Sequence, residues 1–374
     1  MKKLVSHVCI LLIALLCAAS SAIACTDFRL TAKDGTVFIA RSMEFAEDLQ
    51  SNLRTSTRGR QFTTVAPNNK PGLAWKAKYG YLYLDSFNQD FTLDGMNEAG
   101  LSFEALYLPG EAEYQVVPLG SEAKGLPYLN IGDWILSNFQ TAEEVRNALP
   151  SIFVFAQPLL SMGNIVFPLH FSVFDASGNG IVVEYIKGKL TIYNQIGVMT
   201  NSPTYDWQVT NLRNYLNLSP YAPNPVVAGN FVFVATGQGA GMVGLPGDVS
   251  PPSRFVKMSF MLKTSSVAAT ASDALNLVQH IINNVDIPAG ISRAVSNGKE
   301  STETTQWVVF KDLSHKMFYY RTYHDMTIRS VSFSKLDFSD NAVRLKMPIA
   351  VTSPYQIDMS DQFIKAKAAQ VAKQ

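Results

Sequence analysis

Short runs in which apolar and polar residues alternate recur along this chain, and a period of two is typical of β-strands. The first run covers residues 25–32 and the second covers residues 36–44, with Asp34 and Gly35 between them. Because an Asp-Gly pair is a strong signal for a tight turn, the two runs predict a β-hairpin. Further strands are predicted at residues 81–85, 91–93, 101–108, 169–174, 181–186, 190–193, 306–310, 317–323 and 327–333.

Helical patterns are confined to a few segments between these runs. Thr141 and Glu144 have the spacing of a capping box, which predicts the start of a helix that ends at Pro150. Residues 45–78 are polar and contain a cluster of turn-forming residues, so we expect long loops here, at the mouth of a pocket. The other predicted helices cover residues 128–139, 206–216, 253–262 and 272–285.

The order of these elements limits the fold class. Strands come in groups that a block of helices separates, whereas a parallel sheet requires strands and helices in strict alternation. The sequence therefore predicts an α+β protein with two antiparallel sheets covered by helices. We expect residues 25–374 to form a single domain.

Composition and charge exclude some partners. The 374 residues include 31 Lys and Arg against 30 Asp and Glu, so the protein carries almost no net charge. Nucleic acids and anionic membrane surfaces attract strongly basic proteins, and neither is expected as a partner. The hydrophobic fraction of 47% is that of a packed globular protein.

The N-terminal residues have the pattern of an export signal. Lys2 and Lys3 precede an apolar stretch at residues 8–19, and Ala22-Ile23-Ala24 has the small-residue spacing that signal peptidase recognises. The uncharged stretch approaches the lower length limit of a membrane-spanning helix, but its Ala- and Ser-rich second half favours cleavage. We expect a signal peptide at residues 1–24, a periplasmic or secreted protein, and no stable membrane anchor.

Cleavage at this site would leave one cysteine at the new N-terminus. Cys9 and Cys17 lie within the signal, so Cys25 would remain alone, without a partner for an internal disulfide. Three interpretations are open: a small apolar residue, a lipid-anchored cysteine, or a nucleophile. Ala22 is a poor match to the Leu-like residue that lipid attachment requires. An N-terminal cysteine offers catalysis both a thiol and a free α-amine that accepts protons.

The predicted hairpin would return Arg41 and Glu44 toward Cys25, and a nearby cation lowers the pKa of a thiol. Other catalytic patterns are weaker. The Gly239-Ala240-Gly241-Met242-Val243-Gly244 segment precedes Leu-Pro-Gly-Asp and not a helix, so it predicts a loop and no dinucleotide site. The sequence contains no Gly-x-Ser-x-Gly motif. Cys25 is therefore the best candidate nucleophile.

Several short motifs, kept in order along the chain, resemble those of the choloylglycine hydrolase family. This family contains conjugated bile salt hydrolases and penicillin V acylases and belongs to the N-terminal nucleophile (Ntn) hydrolase superfamily. The motifs are Cys25-Thr26, Arg41-Ser42-Met43-Glu44, Asp94-Gly95-Met96-Asn97-Glu98-Ala99-Gly100-Leu101, Thr200-Asn201-Ser202-Pro203, Leu212-Arg213-Asn214-Tyr215, Gly244-Leu245-Pro246-Gly247-Asp248 and Ser253-Arg254-Phe255.

The resemblance implies a four-layer αββα sandwich and hydrolysis of a linear amide without a metal or organic cofactor. It also implies roles for individual residues. Cys25 corresponds to the nucleophile, Arg41 to the arginine beside the thiolate, and Arg254 to a second active-site arginine. Asn201 corresponds to the asparagine that faces the oxyanion. Glu44 stands where the family usually has aspartate, and its extra methylene keeps the charge but shifts the reach of the carboxylate.

Two further residues are candidates on the substrate side. Tyr107 occupies a position where bile salt hydrolases typically have asparagine and penicillin V acylases often have tyrosine. Its backbone is expected to help stabilise the oxyanion. Asp27 is either a pocket residue that orients the amine together with Glu44 or a charge on an edge strand. Asn201 also has a structural interpretation, because it precedes a predicted helix and would cap it. The structural interpretation of Arg254 is an ion pair with a carboxylate.

The resemblance favours a penicillin V acylase-like enzyme of the exported, Gram-negative branch, some of whose members also accept N-acyl homoserine lactones. A conjugated bile salt hydrolase is the alternative. The alternative from another class is a non-catalytic envelope lipoprotein that binds acylated ligands. The expected partner is a small N-acyl amide, and the resemblance implies a homotetramer.

Overall fold

The computed structural model of the protein describes residues 24–350 except Asn297. Residues 1–23 of the signal peptide predicted at residues 1–24 lie outside this part, as do the C-terminal residues 351–374. Two large antiparallel sheets stack face to face, and helices cover their outer faces. This is the αββα sandwich that the sequence motifs imply, and the predicted α+β class is confirmed.

The first sheet carries the N-terminal hairpin at its centre. Its strands lie in the order β14-β1-β2-β18-β19-β20, and β17 pairs with β18. The sheet consists of β1 (Cys25–Thr31), β2 (Val37–Phe45), β14 (Val198–Met199), β17 (Ser292–Ser296), β18 (Lys299–Asp312), β19 (Met317–Thr322) and β20 (Asp325–Ser332).

The second sheet faces it, in the order β13-β12-β11-β8-β7-β6-β3-β21. It consists of β3 (Asn52–Ser56), β6 (Tyr81–Ser86), β7 (Gln89–Asn97), β8 (Ser102–Tyr107), β11 (Leu169–Phe174), β12 (Gly180–Ile186), β13 (Lys189–Asn194) and β21 (Lys346–Pro348). Small two-stranded sheets are formed by β4 (Gln61–Ala66) with β5 (Lys70–Lys76), β9 (Gly125–Pro127) with β10 (Phe153–Phe155), and β15 (Val226–Ala228) with β16 (Phe231–Phe233).

Two pairs of helices form the outer layers. Helices α1 (Ile131–Asn138) and α2 (Ala142–Ala148) pack on the second sheet, and α4 (Pro251–Thr264) and α5 (Ala271–Ile282) pack on the first; α3 (Tyr205–Asn211) contacts α4. The predicted Thr141 cap is confirmed, since its side chain accepts a hydrogen bond from the Glu144 N–H. Within residues 24–350, no helix is both long enough and apolar enough to cross a membrane.

The prediction of long loops at residues 45–78 is wrong, because this segment contains β3, β4 and β5. The β4 and β5 strands alternate between partly buried and exposed residues, and their polar positions conceal the strand pattern. In β3, Arg54 lies in a strand that pairs with the buried β6, and its guanidinium binds Asp85. The partly buried ion pair allows a charged residue in a strand that has a neighbour on each side.

The core between the sheets contains a cluster of buried charges among its apolar side chains. Arg41 on β2 and Lys311 on β18 face Asp94 on β7 and Glu104 on β8, and all four side chains are fully buried. Buried charges are stable only when they are paired and hydrogen-bonded. The pairing therefore fixes the two sheets in one relative position directly behind Cys25.

Candidate active site

Cys25 is the first residue of β1, and its thiol points into the space between the two sheets. Cys25 pairs with Met43 across the hairpin, and the next residue on the same face, Asp27, pairs with Arg41. The Cys25 Sγ atom lies 3.7 Å from the Met43 sulfur and 3.9 Å from Nη2 of Arg41. The hairpin thus places a guanidinium beside the thiol, as the sequence predicts.

The electrostatic effect on the thiol differs from the expectation. Burial raises the pKa of the Cys25 thiol above its usual value, and the positive charge of Arg41 lowers it only in part. The expected effect of Arg41 is present, but it is smaller than the cost of removing a thiolate from water. Burial therefore favours the protonated thiol in the uncleaved chain, and a base that takes up its proton would assist attack on a substrate.

The nitrogen atom of Cys25 is held by Asn201. In the uncleaved chain this atom is a peptide N–H, and it stands where cleavage after Ala24 would place the α-amine. It donates a hydrogen bond of 2.7 Å to Oδ1 of Asn201, whose Nδ2 donates one of 2.7 Å to the Tyr107 carbonyl. The Tyr107 carbonyl is therefore an acceptor for the Asn201 amide, and the expected role of the Tyr107 backbone toward the oxyanion remains a prediction. The second hydrogen of Asn201 Nδ2 remains for an oxyanion.

Arg254 lies at the start of α4 and ties the same groups together. Its Nη1 atom donates to the Cys25 carbonyl at 2.5 Å and to the Thr26 hydroxyl at 2.6 Å. Its Nη2 atom donates to Oδ1 of Asn201 at 2.8 Å. The guanidinium is fully buried, and its hydrogen bonds fix the main chain of Cys25 and the orientation of the Asn201 amide.

Glu44 lies on the opposite face of the first sheet from the thiol, because side chains alternate along β2. Its Oε1 atom accepts a hydrogen bond of 2.8 Å from the Thr305 hydroxyl, and its backbone N–H donates to the Ala24 carbonyl at 3.0 Å. Burial raises the pKa of its carboxyl to about 8, and the charge of Arg254 offsets part of this rise. The backbone of Glu44 therefore contacts the Ala24–Cys25 peptide bond, which is the bond that signal cleavage would break.

Asp27 is fully buried between the sheets and does not line the cavity next to the thiol. Neither of its carboxylate oxygens accepts a hydrogen bond from the residues that the structure describes. Burial raises the pKa of Asp27 to about 7, and the positive charge of Lys311 offsets only part of this rise. The structure places Asp27 in the charged layer behind the site, and its predicted role toward the amine remains a prediction.

Sequence reasoning missed the groups that hold Arg41 in place. Its Nη1 atom donates to the Leu93 carbonyl at 3.2 Å and to Asp94 at 3.3 Å, and its Nη2 atom donates to the Ala105 carbonyl at 2.5 Å. The other carboxylate oxygen of Asp94 binds Lys311 at 2.8 Å. A signal was available, since Asp94 directly follows the apolar Leu93 and Lys311 directly follows the apolar run at residues 307–310.

A second missed pair supports Asn201. The ring of His170 bridges Glu184 Oε1, 3.0 Å from Nδ1, and the carbonyl of Thr200, 3.0 Å from Nε2. The same Glu184 oxygen accepts from the Tyr205 N–H at 2.9 Å. The pair therefore fixes the chain on both sides of Asn201. His170 and Glu184 are polar residues in the largely apolar strands β11 and β12. Both lie equally far from the turn between these strands, so the sequence alone indicates that they face each other.

A narrow cavity of about 40 Å³ opens at the thiol. Phe45, Phe87 and Phe167 form its aromatic part, with ring centroids 5.8 to 6.5 Å apart. Its walls are almost entirely apolar, so the cavity suits an acyl group and not a charged one. The lining residues are Cys25, Met43, Phe45, Leu49, Ser86, Phe87, Phe91, Leu93, Ala105, Tyr107, Leu129, Phe167 and Leu169.

The site contains no metal-binding arrangement in the part of the chain that the structure describes, since no group of three or more His, Cys, Asp or Glu side chains is placed to hold an ion. The thiol of Cys25, its backbone nitrogen and the Asn201 amide lie together at the site. Together they provide a nucleophile, a base after cleavage and a hydrogen-bond donor for a developing negative charge.

Comparisons with known proteins agree with this arrangement. The sequence profile described as "Linear amide C-N hydrolases, choloylglycine hydrolase family" matches residues 25–346. A "Bile salt hydrolase/transferase" of Clostridium perfringens is 32% identical over 326 residues, which cover 86% of this chain and 95% of that protein. A "Penicillin V acylase" of Pectobacterium atrosepticum is 27% identical over 360 residues, which cover 90% of this chain and 89% of that protein.

Solved structures show the same relationship. A variant of the conjugated bile acid hydrolase from Clostridium perfringens superposes with a TM-score of 0.78 at 29% identity, covering 90% of this chain and 99% of that one. Penicillin V acylase from Agrobacterium tumefaciens gives a TM-score of 0.70 at 27% identity, covering 86% and 91%. The family profile begins at the cysteine that the geometry places at the site. The chain therefore belongs to the choloylglycine hydrolase family and is a hydrolase of linear carbon–nitrogen amide bonds.

Proposed function

We propose that this enzyme resembles penicillin V acylases in its substrate preference and hydrolyses N-acyl amides whose acyl group is slender and apolar, such as a phenoxyacetyl group or the fatty acyl chain of an N-acyl homoserine lactone. The observation that carries the proposal is the narrow cavity at the Cys25 thiol, with Phe45, Phe87 and Phe167 around it. A flat ring or a straight chain enters such a space with small movements of these side chains.

The proposed reaction begins after cleavage has freed the α-amine of Cys25. The amine takes the proton of the thiol as the sulfur attacks the carbonyl carbon of the substrate. The second Nδ2 hydrogen of Asn201 stabilises the oxyanion, and one such donor contributes about 2.7–4 kcal/mol. The protonated amine then passes its proton to the leaving nitrogen, and the C–N bond breaks. Water, activated by the same amine, hydrolyses the thioester and releases the acid.

Conjugated bile salt hydrolysis is the second candidate, and the relative of Clostridium perfringens that is named for this activity favours it. A steroid acyl group is wider than a chain or a single ring. Its entry would require the aromatic walls of the cavity to separate. Tyr107 lines the same cavity and adds bulk close to the thiol. The cavity as it stands therefore supports the smaller acyl groups.

We also propose export, because the mechanism requires cleavage after Ala24. The Ala22-Ile23-Ala24 pattern supports it. The non-catalytic lipoprotein alternative requires a lipid on Cys25 and an acylated amine. Burial of the Cys25 side chain between the sheets argues against the lipid, since a thioether-linked chain would have no route to a membrane.

The test is a substrate panel on purified protein whose intact mass shows a start at Cys25. Penicillin V, a glycine-conjugated bile acid and a long-chain N-acyl homoserine lactone are compared by kcat/KM. We expect penicillin V or the lactone to exceed the bile acid by at least about tenfold, and Cys25→Ser to lose the activity. A preference for the bile acid would support the second candidate. A lipidated, inactive protein would support the lipoprotein.

The quaternary structure is a separate proposal. The family resemblance implies a homotetramer, and the β15–β16 hairpin supports association between copies. All six residues of its two strands are exposed, and five of them are Val or Phe. Exposed apolar patches of this kind mark interaction surfaces.

A further inference from the structure

Gln306 clamps a loop that forms one wall of the acyl cavity. Its Oε1 atom accepts a hydrogen bond of 3.0 Å from the Leu49 N–H, and its Nε2 atom donates to the Phe45 carbonyl at 3.1 Å and to the Glu47 carbonyl. The oxygen and the nitrogen of the Gln306 side-chain amide thus both bind main-chain groups at the end of β2 and just after it. The loop at residues 46–51 is held to β18 at this point.

A β-bulge gives Gln306 this direction. Thr305 pairs with Glu44 on β2, whereas Trp307 pairs with Met43, so Gln306 is the additional residue between two ordinary pairs. A bulge leaves one residue out of the ladder and turns its side chain away from the usual alternation. The Gln306 carbonyl accepts from the Tyr323 N–H at 3.0 Å, which fixes the bulge from the other side. The clamp is therefore built into the sheet.

The clamped loop separates two cavities. Phe45 and Leu49 line the acyl cavity at Cys25. Asp48 and Gln50, on either side of Leu49, line a separate groove of about 610 Å³. Gln306 also lines this groove. Neighbouring loop residues thus face opposite sides of a thin wall, and the space beyond that wall is far larger than the acyl cavity.

We infer that Gln306 determines the length of acyl chain that the enzyme accepts, by holding the 46–51 loop closed across the far end of the acyl cavity. With the loop clamped, a long chain meets Phe45 and Leu49. With the loop released, its end enters the groove behind them. The inference rests on the proposed function, since it assigns the acyl group to the cavity at Cys25. Gln306 contacts no reacting group, so it acts through the loop as a specificity-determining residue.

The test compares kcat/KM for butanoyl, octanoyl and dodecanoyl amides of one chromogenic amine, using the enzyme that begins at Cys25. Gln306→Met keeps the length of the side chain and removes all three hydrogen bonds. We expect the dodecanoyl-to-butanoyl ratio of kcat/KM to rise at least about tenfold, with butanoyl activity within about threefold of wild type. His324→Ala is the matched control, because His324 is exposed and lines the same groove. Its ratio should stay unchanged.

An unchanged ratio in Gln306→Met, or an equal loss on all three amides, would overturn the role of Gln306 while leaving the proposed function intact. Failure of the wild-type enzyme on every chain length would overturn the proposed function itself. If the Met variant does not fold, Gln306→Glu provides the same test. Its carboxylate still accepts from the Leu49 N–H and offers no hydrogen to the two carbonyls.

Discussion

The side-chain oxygen of Asn201 lies 2.7 Å from the backbone nitrogen of Cys25, the atom that cleavage would turn into the catalytic amine. The same oxygen accepts from Arg254, and the amide nitrogen donates to the Tyr107 carbonyl. Two donors on the oxygen and one acceptor on the nitrogen leave the amide a single orientation. In the proposed mechanism, Asn201 therefore links the base of the reaction to the position where the oxyanion develops.

Asn201→Asp tests this link, since the substitution keeps an oxygen toward Cys25 and replaces the Nδ2 donor with an acceptor. The new oxygen would face the Tyr107 carbonyl and repel an oxyanion. We expect kcat to fall about 10²–10³-fold with a small change in KM, as for the loss of one oxyanion donor. Steady-state kinetics with the preferred amide measure the effect.

Ser202→Ala is the control for Asn201, because Ser202 is the next residue and its hydroxyl donates to the Pro109 carbonyl at 2.6 Å. This change removes a hydrogen bond of the same segment without touching Cys25. We expect less than about a tenfold loss of kcat. An Asn201→Asp enzyme as active as the Ser202→Ala enzyme would contradict the role of the amide.

Arg41 has a measurable effect on the thiol. Its charge lowers the pKa of Cys25 against the larger effect of burial, so Arg41→Met should raise that pKa further. Each pKa unit reduces the thiolate fraction tenfold, and we expect iodoacetamide to alkylate Cys25 at least about tenfold more slowly at neutral pH. Alkylation is followed by intact mass over a range of pH.

Arg41→Lys separates charge from geometry. Lysine keeps a positive charge but lacks the planar fork that binds the Leu93 and Ala105 carbonyls together with Asp94. We expect an alkylation rate between those of the wild type and Arg41→Met. Equal alkylation rates for the three proteins would show that Arg41 does not affect the pKa of the Cys25 thiol.

The sequence was sufficient for the parts of the fold that depend on local patterns. The Asp34-Gly35 turn and the alternation around it predicted the hairpin that carries Cys25 and Arg41, and the structure confirms it. The single cysteine after the predicted cleavage site and the spaced motifs indicated the family. The hairpin and the motifs depend on residues that are close together in the sequence, and the reactivity of Cys25 is a property of one side chain.

The remaining features depend on contacts between distant segments. The thiol pKa is set by burial between two sheets, which no neighbour of Cys25 in the sequence reveals. Glu44 is displaced from the thiol by the alternation of β2, and its hydrogen bond to Thr305 comes from a strand far along the chain. The bulge at Gln306 is likewise a property of the pairing and not of the local sequence.

Asp27 provides a prediction about stability. Its pKa is about 7 in the folded protein and about 3.9 in an unfolded chain. Between these values the unfolded chain releases a proton that the folded protein retains, so Asp27 lowers the free energy of unfolding as pH rises from about 4 to 7. Asp27→Asn removes this contribution. We expect the variant to gain a few degrees in Tm over wild type at pH 7.5 and no advantage at pH 4.

Activity distinguishes this position from a catalytic one. Because Asp27 does not line the cavity, Asp27→Asn should keep kcat/KM within about threefold of wild type. Thermal unfolding across the pH range and kinetics on the same samples provide both results. A large loss of kcat with an unchanged Tm profile would show that Asp27 acts on the amine, as the sequence suggested.

The β15–β16 hairpin gives the prediction on assembly. Phe231 and Phe233 are 72% and 60% exposed, and their rings lie 6.4 Å apart in a patch that no other described element covers. The double variant Phe231→Glu/Phe233→Glu places like charges in any interface that the hairpin forms, so we expect it to have a smaller mass in solution than the proposed wild-type tetramer. Light scattering on a sizing column measures the mass. Val267→Glu, an exposed apolar residue elsewhere, is the control and should leave the mass unchanged. Equal masses for the wild type and the hairpin variant would show that the hairpin does not mediate association.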